Sequence, residues 1–262
     1  MTGDILSAAT QANKALGQHF LTDKNIISNI IKAIDPQSHE RIYEIGPGPG
    51  AITQPLLESG APLTIFEKDT RFAHAWAAHE ASRVGQLHVV ETDALEVDWS
   101  KQEVPAQVVG NLPYNVGTQI VLNLLPYLPR YRQAVFMLQQ EVIDRMLAQP
   151  GSKTWGRLGV WCQLYADVTQ VMRVPPQAFR PPPKVDSAIV RLVPLAQPRF
   201  DVDVKKLSRL INQAFGQRRK MLRASLKGML TPEQIESVGI APTERPEQLG
   251  LSELCILAGL LD

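Results

Sequence analysis

The sequence feature that most constrains the fold is a regular alternation of short apolar segments with amphipathic segments in the first half of the chain. Five apolar segments are predicted as strands, at residues 41–45, 63–67, 87–91, 106–110 and 134–138. Helical patterns follow three of them, at residues 51–59, 70–80 and 118–125. Strands that alternate with helices form a parallel sheet, because each helix returns the chain across one face of the sheet. The pattern therefore predicts an α/β fold, a Rossmann-like sheet with helices on both faces.

The pattern changes after about residue 167. Two extended segments, Val168–Val174 and Ser187–Val193, flank a proline-rich stretch and are expected to close the sheet as an antiparallel pair. After the proline-containing linker at residues 194–198, the periodicity is helical to the end of the chain. We predict a larger domain at residues 1–197 and a small all-helical domain at residues 198–262.

Composition excludes several classes of protein. The chain has 262 residues, 44% hydrophobic and 20% charged, which excludes a wholly disordered, collagen-like or coiled-coil chain. This length suffices for a large core, so no disulfide or metal is required for stability. Cys162 and Cys255 are expected to be reduced, buried thiols. Met1–Lys14 lacks the apolar core of a signal peptide, and the uncharged Val104–Pro129 contains too many prolines and amides to span a membrane. We expect a soluble cytoplasmic protein.

A loop rich in glycine and proline, Glu44–Gly50, follows the first predicted strand of the sheet. Its three glycines allow the backbone to approach a ligand closely. The loop alone is ambiguous, because a tight turn or a dinucleotide-binding fingerprint would also fit it. Pro47 and Pro49 each remove an N–H group that a pyrophosphate could use, and Glu44 suits a ligand with a cationic amino group.

Acidic residues mark the ends of the next two strands. Glu67 ends the second strand, where a carboxylate can accept hydrogen bonds from ribose hydroxyls. Asp93 follows the third strand, where it can accept from an adenine amino group or simply cap a turn. Ligands of open α/β sheets bind at this edge. The predicted ligand is an adenosine that needs no phosphate site.

The fourth strand leads directly into Asn111-Leu112-Pro113-Tyr114. The exocyclic amine of adenine is a poor nucleophile, because its lone pair is delocalised into the ring. The Asn111 side-chain oxygen and the Leu112 carbonyl could each accept one N–H and localise that lone pair. Tyr114 offers a ring on which the base can stack.

In these motifs, the chain resembles the ribosomal RNA adenine N6-dimethyltransferase family along nearly its whole length. The motifs that carry the resemblance are Leu16–Leu21, Glu44–Gly50, Asn111–Tyr114, Phe179–Ser187 and Phe215–Leu222, with Glu67 and Asp93 in the expected order. The last of them favours the small-subunit branch over the antibiotic-resistance branch. The resemblance implies a class I methyltransferase sheet and S-adenosylmethionine as the methyl donor.

The resemblance also implies roles for individual residues. Asn111 would lie between the cofactor and the target base, and Phe179 would be a second stacking face opposite Tyr114. Family members often have Asn where this chain has His19, so the cofactor contact there is expected through the backbone. The residues implied at the cofactor are His19, Leu21, Gly46, Glu67, Asp93 and Asn111.

One segment of this nearly neutral chain carries positive charge only. Residues 205–227 contain eight Lys and Arg and no acid, although the net charge of the whole chain is +1. A stripe of one sign is typical of a surface that binds a phosphate backbone. No recognition-helix motif for DNA is present, and an RNA hairpin loop offers unpaired bases. The predicted RNA-binding residues are Arg218, Arg219, Lys220 and Arg223.

The leading hypothesis is methylation of two adjacent adenosines to N6,N6-dimethyladenosine in a hairpin loop near the 3′ end of small-subunit (16S) rRNA. The expected partner is this rRNA within a pre-ribosomal small subunit, with no DNA and no membrane, and nothing demands more than a monomer. Three alternatives stay open: a large-subunit rRNA adenine N6-methyltransferase, a dinucleotide-dependent oxidoreductase, and a ribosome-assembly factor that binds RNA and whose catalysis is secondary.

Overall fold

A computed structural model describes residues 17–262 of the chain. The stretch Met1–Lys14 and the first residue of the Leu16–Leu21 motif lie outside the described residues. The strands are β1 (Phe20–Leu21), β2 (Arg41–Ile45), β3 (Leu63–Glu67), β4 (Leu87–Glu91), β5 (Ala106–Asn111), β6 (Ala134–Gln139), β7 (Ala166–Val174), β8 (Phe179–Arg180) and β9 (Ser187–Pro194). The α-helices are α1 (Lys24–Ile34), α2 (Thr53–Glu58), α3 (Thr70–Ala77), α4 (Glu80–Arg83), α5 (Gly117–Leu124), α6 (Gln140–Met146), α7 (Arg157–Tyr165), α8 (Val204–Gly216), α9 (Leu222–Ser225), α10 (Pro232–Ser237) and α11 (Leu251–Gly259).

The main sheet has seven strands in the order β4-β3-β2-β5-β6-β9-β7. Strands β2 to β6 are the five predicted strands, and every pairing between two of these five is parallel. Strand β9 is antiparallel to β6, and β7 lies beside it at the edge of the sheet. The α/β fold and its mainly parallel sheet are confirmed. The carboxyl ends of β2 to β6 therefore meet along one edge, where the predicted ligand residues lie.

Helix α1 was not predicted, although its sequence explains it well. Asp23 caps its N-terminus by accepting from the backbone N–H groups of Asn25 and Ile26. Ile26 and Ile30 lie four residues apart, so both face the core of the sheet. This helix follows β1 in the chain. Strand β1 pairs with β8 in a separate two-stranded sheet, in which Leu21 lies opposite Phe179.

The chain packs as two compact units, and their boundary differs from the prediction in one segment. The first unit comprises residues up to 143 together with 168–194, and the second comprises residues 144–167 and 195–262. Residues 144–167 were assigned to the first domain, but their apolar side chains belong to the second core. Trp155 is fully buried there, and its indole N–H donates to the Leu249 carbonyl at 2.9 Å. The second unit is therefore built from two separate stretches of chain.

Both cysteines are buried free thiols in the second unit, as predicted. Burial raises the pKa of Cys162 to about 12, which leaves its thiol protonated. No helix within residues 17–262 is both long and apolar enough to cross a membrane.

Candidate functional site

A cleft of about 1090 Å³, including its open mouth, lies at the carboxyl ends of β2 to β5 in the first unit. Its walls are the loop after β2, the ends of β3, β4 and β5, and the segment at residues 17–21. This edge of an open α/β sheet is where such folds bind ligands. The predicted residues that line it are His19, Leu21, Gly46, Glu67, Asp93, Asn111, Leu112 and Tyr114.

The glycine loop satisfies its own hydrogen bonds. Gly46, Gly48 and Gly50 all have positive φ, and a Cβ on Gly50 would lie 2.4 Å from Trp76. The N–H of Gly46 donates to Phe66, that of Gly48 to the Glu67 carboxylate, and that of Gly50 to the Pro47 carbonyl. Since Pro47 and Pro49 have no N–H, residues 46–50 retain no free donor for a pyrophosphate. This arrangement disfavours a dinucleotide in the cleft.

Glu44 is a buried carboxyl group in the floor of the cleft. Its side chain is 2% exposed, and its Oε2 has no hydrogen-bond partner among residues 17–262. Burial raises its pKa to about 8, an effect that the nearby Thr53 hydroxyl opposes and the Glu67 charge reinforces. A buried, unpartnered carboxyl oxygen is costly unless a ligand donor meets it. A cationic donor that faced this oxygen would remove that cost and favour the ionised carboxylate.

Glu67 is buried rather than solvated, with 5% exposure. One carboxylate oxygen accepts from the Gly48 N–H at 3.0 Å and the other from the Asp69 N–H at 2.7 Å. Burial raises its pKa, while these two backbone donors oppose the shift. The two bonds fix the carboxylate at the strand end, and each oxygen retains a lone pair for a hydroxyl donor.

Asp93 caps a turn and also lies in the wall of the cleft. It caps the short 3₁₀ helix Ala94–Glu96 by accepting from the Leu95 N–H at 2.9 Å, and it also lines the cleft. Its other oxygen pairs with Lys68 Nζ at 2.6 Å, which holds the pKa of Asp93 below its usual value. The sequence interpretation missed Lys68, although its position directly after Glu67 at a strand end was a usable signal.

Asn111 ends β5, and its side chain has a defined orientation. Its Nδ2 donates to the backbone carbonyl of His19 at 3.1 Å. Because a carbonyl can only accept, the amide must present its nitrogen to His19, and Oδ1 is left as the acceptor. The N–H of Leu112 donates to the Met137 carbonyl at 3.1 Å, which fixes the backbone immediately after Asn111.

Tyr114 contacts both β9 and the N-terminal segment of the first unit. Its hydroxyl shares a 2.6 Å hydrogen bond with Ser187 Oγ, which is fully buried. The His19 ring stacks on the Tyr114 ring, with centroids 5.2 Å apart. His19 Nδ1 donates to the Pro181 carbonyl at 2.8 Å, so its tautomer is fixed. The family resemblance implied only a backbone role for His19, whereas the imidazole also holds Tyr114.

Phe179 lies in the core and not in the wall of the cleft. Its side chain is 2% exposed and packs in the apolar core that also contains Leu21 and Ala178. It is not among the residues that line the cleft. The β1–β8 pairing, which places Phe179 opposite Leu21, explains this burial. Phe179 is therefore a core residue in the described structure, and a stacking role for it stays a prediction.

The basic stripe at residues 205–227 is not uniform. Arg218 pairs with Glu247 at 2.6 Å and also donates to the Ser152 carbonyl, so it has a structural role within the second unit. Arg219, Lys220 and Arg223 are exposed. The basic residues at 205–209 lie at the other end of α8, whose thirteen residues span about 20 Å. The stripe is therefore two basic clusters.

Comparisons with known proteins identify relatives that match nearly the whole chain. Residues 9–256 match the family described as Ribosomal RNA adenine dimethylase. The protein "Ribosomal RNA small subunit methyltransferase A" of Xylella fastidiosa is 46% identical over 95% of this chain and 96% of its own length. Its namesake in Jannaschia sp. is 43% identical over 99% of this chain and 92% of its own length.

A solved structure is also similar over most of the chain. The crystal structure of a dimethyladenosine transferase from Plasmodium falciparum has a TM-score of 0.75 and 26% identity, covering 91% of this chain and 96% of its own. The fold of a second structure, the 23S rRNA methyltransferase ErmE, agrees with a TM-score of 0.68 at 24% identity. The match over residues 9–256 decides the family: this chain belongs to the ribosomal RNA adenine dimethylases.

Proposed function

We propose that this protein methylates two adjacent adenosines in a hairpin loop near the 3′ end of small-subunit (16S) rRNA, giving N6,N6-dimethyladenosine. As a member of its family it is an S-adenosylmethionine-dependent rRNA adenine dimethyltransferase. The observation that carries the site assignment is the orientation of Asn111, whose amide oxygen is left as an acceptor at the strand end. The relatives named for the small ribosomal subunit support that subunit as the source of the substrate.

The residues of the cleft fit S-adenosylmethionine, which supplies an electrophilic methyl group on a sulfonium. The unpartnered Oε2 of Glu44 suits the amino group of the methionine part, and the internally satisfied loop at 46–50 suits a ligand without phosphates. Glu67 is positioned to accept from the ribose hydroxyls. Asp93, held by Lys68, is positioned for the adenine amine, and Gly46 and Leu21 border the methionine part.

The chain activates the target amine by geometry rather than by a base. Asn111 Oδ1 and the Leu112 carbonyl each accept one N–H of the adenine amine, which draws the nitrogen toward tetrahedral geometry and localises its lone pair. Neither group is basic enough to remove a proton first, so the proton leaves to water after transfer. Because both acceptors are held in place at the end of a buried strand, their preorganisation is proposed to supply most of the acceleration of methyl transfer.

Tyr114 provides the stacking surface for the target base. His19 covers part of the Tyr114 ring, so the base stacks on the area that His19 leaves open. The hydrogen bond to Ser187 keeps that ring fixed. With Phe179 in the core, Tyr114 alone provides this contact in the described arrangement.

We infer that the second unit binds the rRNA through phosphate contacts of Arg219, Lys220 and Arg223. Their exposure and the absence of acidic residues between 205 and 227 support this assignment. A pre-ribosomal small subunit in the cytoplasm is the proposed setting, and the protein is proposed to act as a monomer, without DNA or a membrane as a partner.

The decisive experiment is incubation of the protein with labelled S-adenosylmethionine and small subunits from a strain that lacks the modification. Mapping of the labelled bases should find two adjacent N6,N6-dimethyladenosines near the 3′ end of the rRNA. Label in large-subunit rRNA instead would contradict the proposal. Binding of NAD but not S-adenosylmethionine in calorimetry would contradict the use of the cleft. An Asn111→Ala variant that binds subunits without transferring methyl groups would separate catalysis from a role in assembly.

A further inference from the structure

A second cavity in the first unit, separate from the cleft, is lined by two basic side chains and several polar ones. It lies against α1, β7 and β9 and measures about 960 Å³ including its open mouth. The two cations in its wall are Lys32 and Arg191, and Asn29, Thr169 and Gln170 add polar side chains. No acidic residue lines this cavity among residues 17–262.

Arg191 is the unusual member of this group. It lies in β9 opposite Val135, on a strand whose neighbouring residues are buried. Its Nε is buried and makes no hydrogen bond, and the guanidinium has no ion pair within the part of the chain that the structure describes. A partly buried cation is costly unless an anion meets it. The cavity in front of Arg191 is where such an anion would lie.

One polar side chain in the wall of this cavity, Gln170, is oriented to donate. Gln170 Oε1 accepts from Gln140 Nε2 at 2.8 Å, so the Gln170 amide has its Nε2 available as a donor. Lys32 is exposed at the last turn of α1, and its flexible stem allows its ammonium to approach the cavity. An arginine fork, an ammonium and an amide N–H together match an anion with several acceptor oxygens, which is the chemistry of a phosphate group.

The cavity lies at a distance from Asn111 that suits a phosphate of the same RNA chain as the target adenosine. Asn111 pairs with Met137, and Met137 pairs with Ile189, two residues before Arg191. Two strand spacings of ~4.8 Å and two residues of ~3.3 Å place the Cα atoms of Asn111 and Arg191 ~12 Å apart. A few nucleotides of extended RNA cover that distance.

We propose that Arg191 and Lys32 bind a backbone phosphate of the rRNA, a few nucleotides from the adenosine that enters the cleft. This inference rests on the proposed function, because it takes rRNA as the substrate. It adds a phosphate contact on the methyltransferase unit to the basic clusters of the second unit. The site positions the strand and does not touch the reacting atoms.

The test measures the salt dependence of binding of an RNA hairpin from the 3′ end of small-subunit rRNA. The double variant Lys32→Gln with Arg191→Gln should lower the slope of log K against log salt by ~0.7–0.9, the value for one lost phosphate contact, and each single variant should lower it by part of that amount. Lys101→Gln removes the same charge from an exposed residue of the same unit outside the cavity, and should leave the slope unchanged. Because Lys32 is exposed, its variant is informative even if Arg191→Gln unfolds.

Wild-type slopes for both Lys32→Gln and Arg191→Gln would overturn the proposal. A parallel titration of inorganic phosphate, followed by the Nε resonance of Arg191, separates the two sources of the anion. A shift with phosphate combined with an unchanged RNA slope would assign the cavity to a free anion and also overturn the proposal. Failure of the proposed function is distinguishable, because the wild-type protein would then not methylate small-subunit rRNA at all.

Discussion

The side-chain Nδ2 of Asn111 donates a 3.1 Å hydrogen bond to the backbone carbonyl of His19. This bond joins the end of β5 to the N-terminal segment of the first unit, whose imidazole stacks on Tyr114. The residue proposed to orient the target amine is therefore oriented itself by the segment at residues 17–21, which lines the cleft. The acceptor Asn111 Oδ1 depends on this bond, whereas the backbone at Leu112 is fixed by its own hydrogen bond to the Met137 carbonyl.

The first prediction concerns Asn111. Asn111→Ala should lower the single-turnover rate of methyl transfer by ~10²-fold or more, the scale for loss of one preorganised polar contact in a transition state. Asn111→Asp keeps an acceptor but places a carboxylate against the His19 carbonyl, so partial activity is expected. Quenched-flow methylation of undermethylated small subunits measures both rates.

Asn123→Ala is the matched control, because it removes an amide of the same unit that bonds to the Leu95 carbonyl and does not line the cleft. It should retain the wild-type rate, and all three variants should bind RNA equally. A normal single-turnover rate in Asn111→Ala would show that the amine is activated elsewhere.

The second prediction follows from the buried carboxyl of Glu44. Its pKa rises from 4.5 to about 8 in the folded protein, so the fold keeps a proton that the unfolded chain releases. Stability without cofactor must therefore fall as the pH rises from about 4.5 to about 8. Glu44→Gln removes this titration and should be more stable than the wild type at pH 8, by ~1 kcal/mol or more, with little difference near pH 5. Chemical denaturation at both pH values measures this.

Glu44→Gln should also weaken S-adenosylmethionine binding by ~10- to 100-fold, because the amide keeps an acceptor oxygen but lacks the negative charge that pairs with the amino group. The gain in stability and the loss of affinity must occur together. Glu58→Gln, at an exposed carboxylate of α2, should change neither quantity. An unchanged affinity in Glu44→Gln would show that Glu44 does not face the amino group.

Much of the first unit could be predicted, because its strands are short, apolar and bounded by turn residues. All five predicted parallel strands are present, and their carboxyl ends bring together residues as distant in sequence as Gly46 and Asn111. Side-chain partners could not be predicted in the same way. Phe179 is as apolar as a stacking residue would be, and only its pairing opposite Leu21 shows that it is buried.

In the second unit, neither the ion pairs of the basic residues nor the boundary of the unit could be predicted from the sequence. Arg218 and Arg219 are adjacent and chemically identical, and only the fold places Glu247 beside one of them. Residues 144–167 join this unit because Trp155 packs there, a contact across more than ninety residues of sequence. Local patterns carry no signal for a contact at that separation.

The third prediction separates these two arginines. Arg218→Ala should destabilise the second unit by ~1 kcal/mol, since it removes a partly buried ion pair with Glu247, and should affect RNA binding little. Arg219→Ala and Lys220→Ala should each reduce the salt slope of RNA binding by ~0.7–0.9 without loss of stability. Denaturant titrations and binding isotherms at several salt concentrations measure the two effects.

Glu247→Ala provides the control, because it should reproduce the stability loss of Arg218→Ala. The double variant, Arg218→Ala with Glu247→Ala, should be no less stable than either single variant. Cofactor affinity should stay constant throughout. If the salt slope falls for Arg218→Ala and not for Arg219→Ala, the assignment of the exposed residues to RNA is wrong.

The last prediction concerns Tyr114, whose ring and hydroxyl have different partners. Tyr114→Ala removes the stacking surface and should weaken productive binding of the target base by ~1–3 kcal/mol. Tyr114→Phe keeps the ring but leaves the buried Ser187 hydroxyl without its partner, so it should cost stability while preserving most of the methylation rate. Ser187→Ala should give the same pattern as Tyr114→Phe, since both break one hydrogen bond. Single-turnover rates at saturating and limiting RNA, with denaturation curves for each variant, separate base binding from folding. Methylation by Tyr114→Ala at the wild-type rate under limiting RNA would show that the base stacks on another side chain.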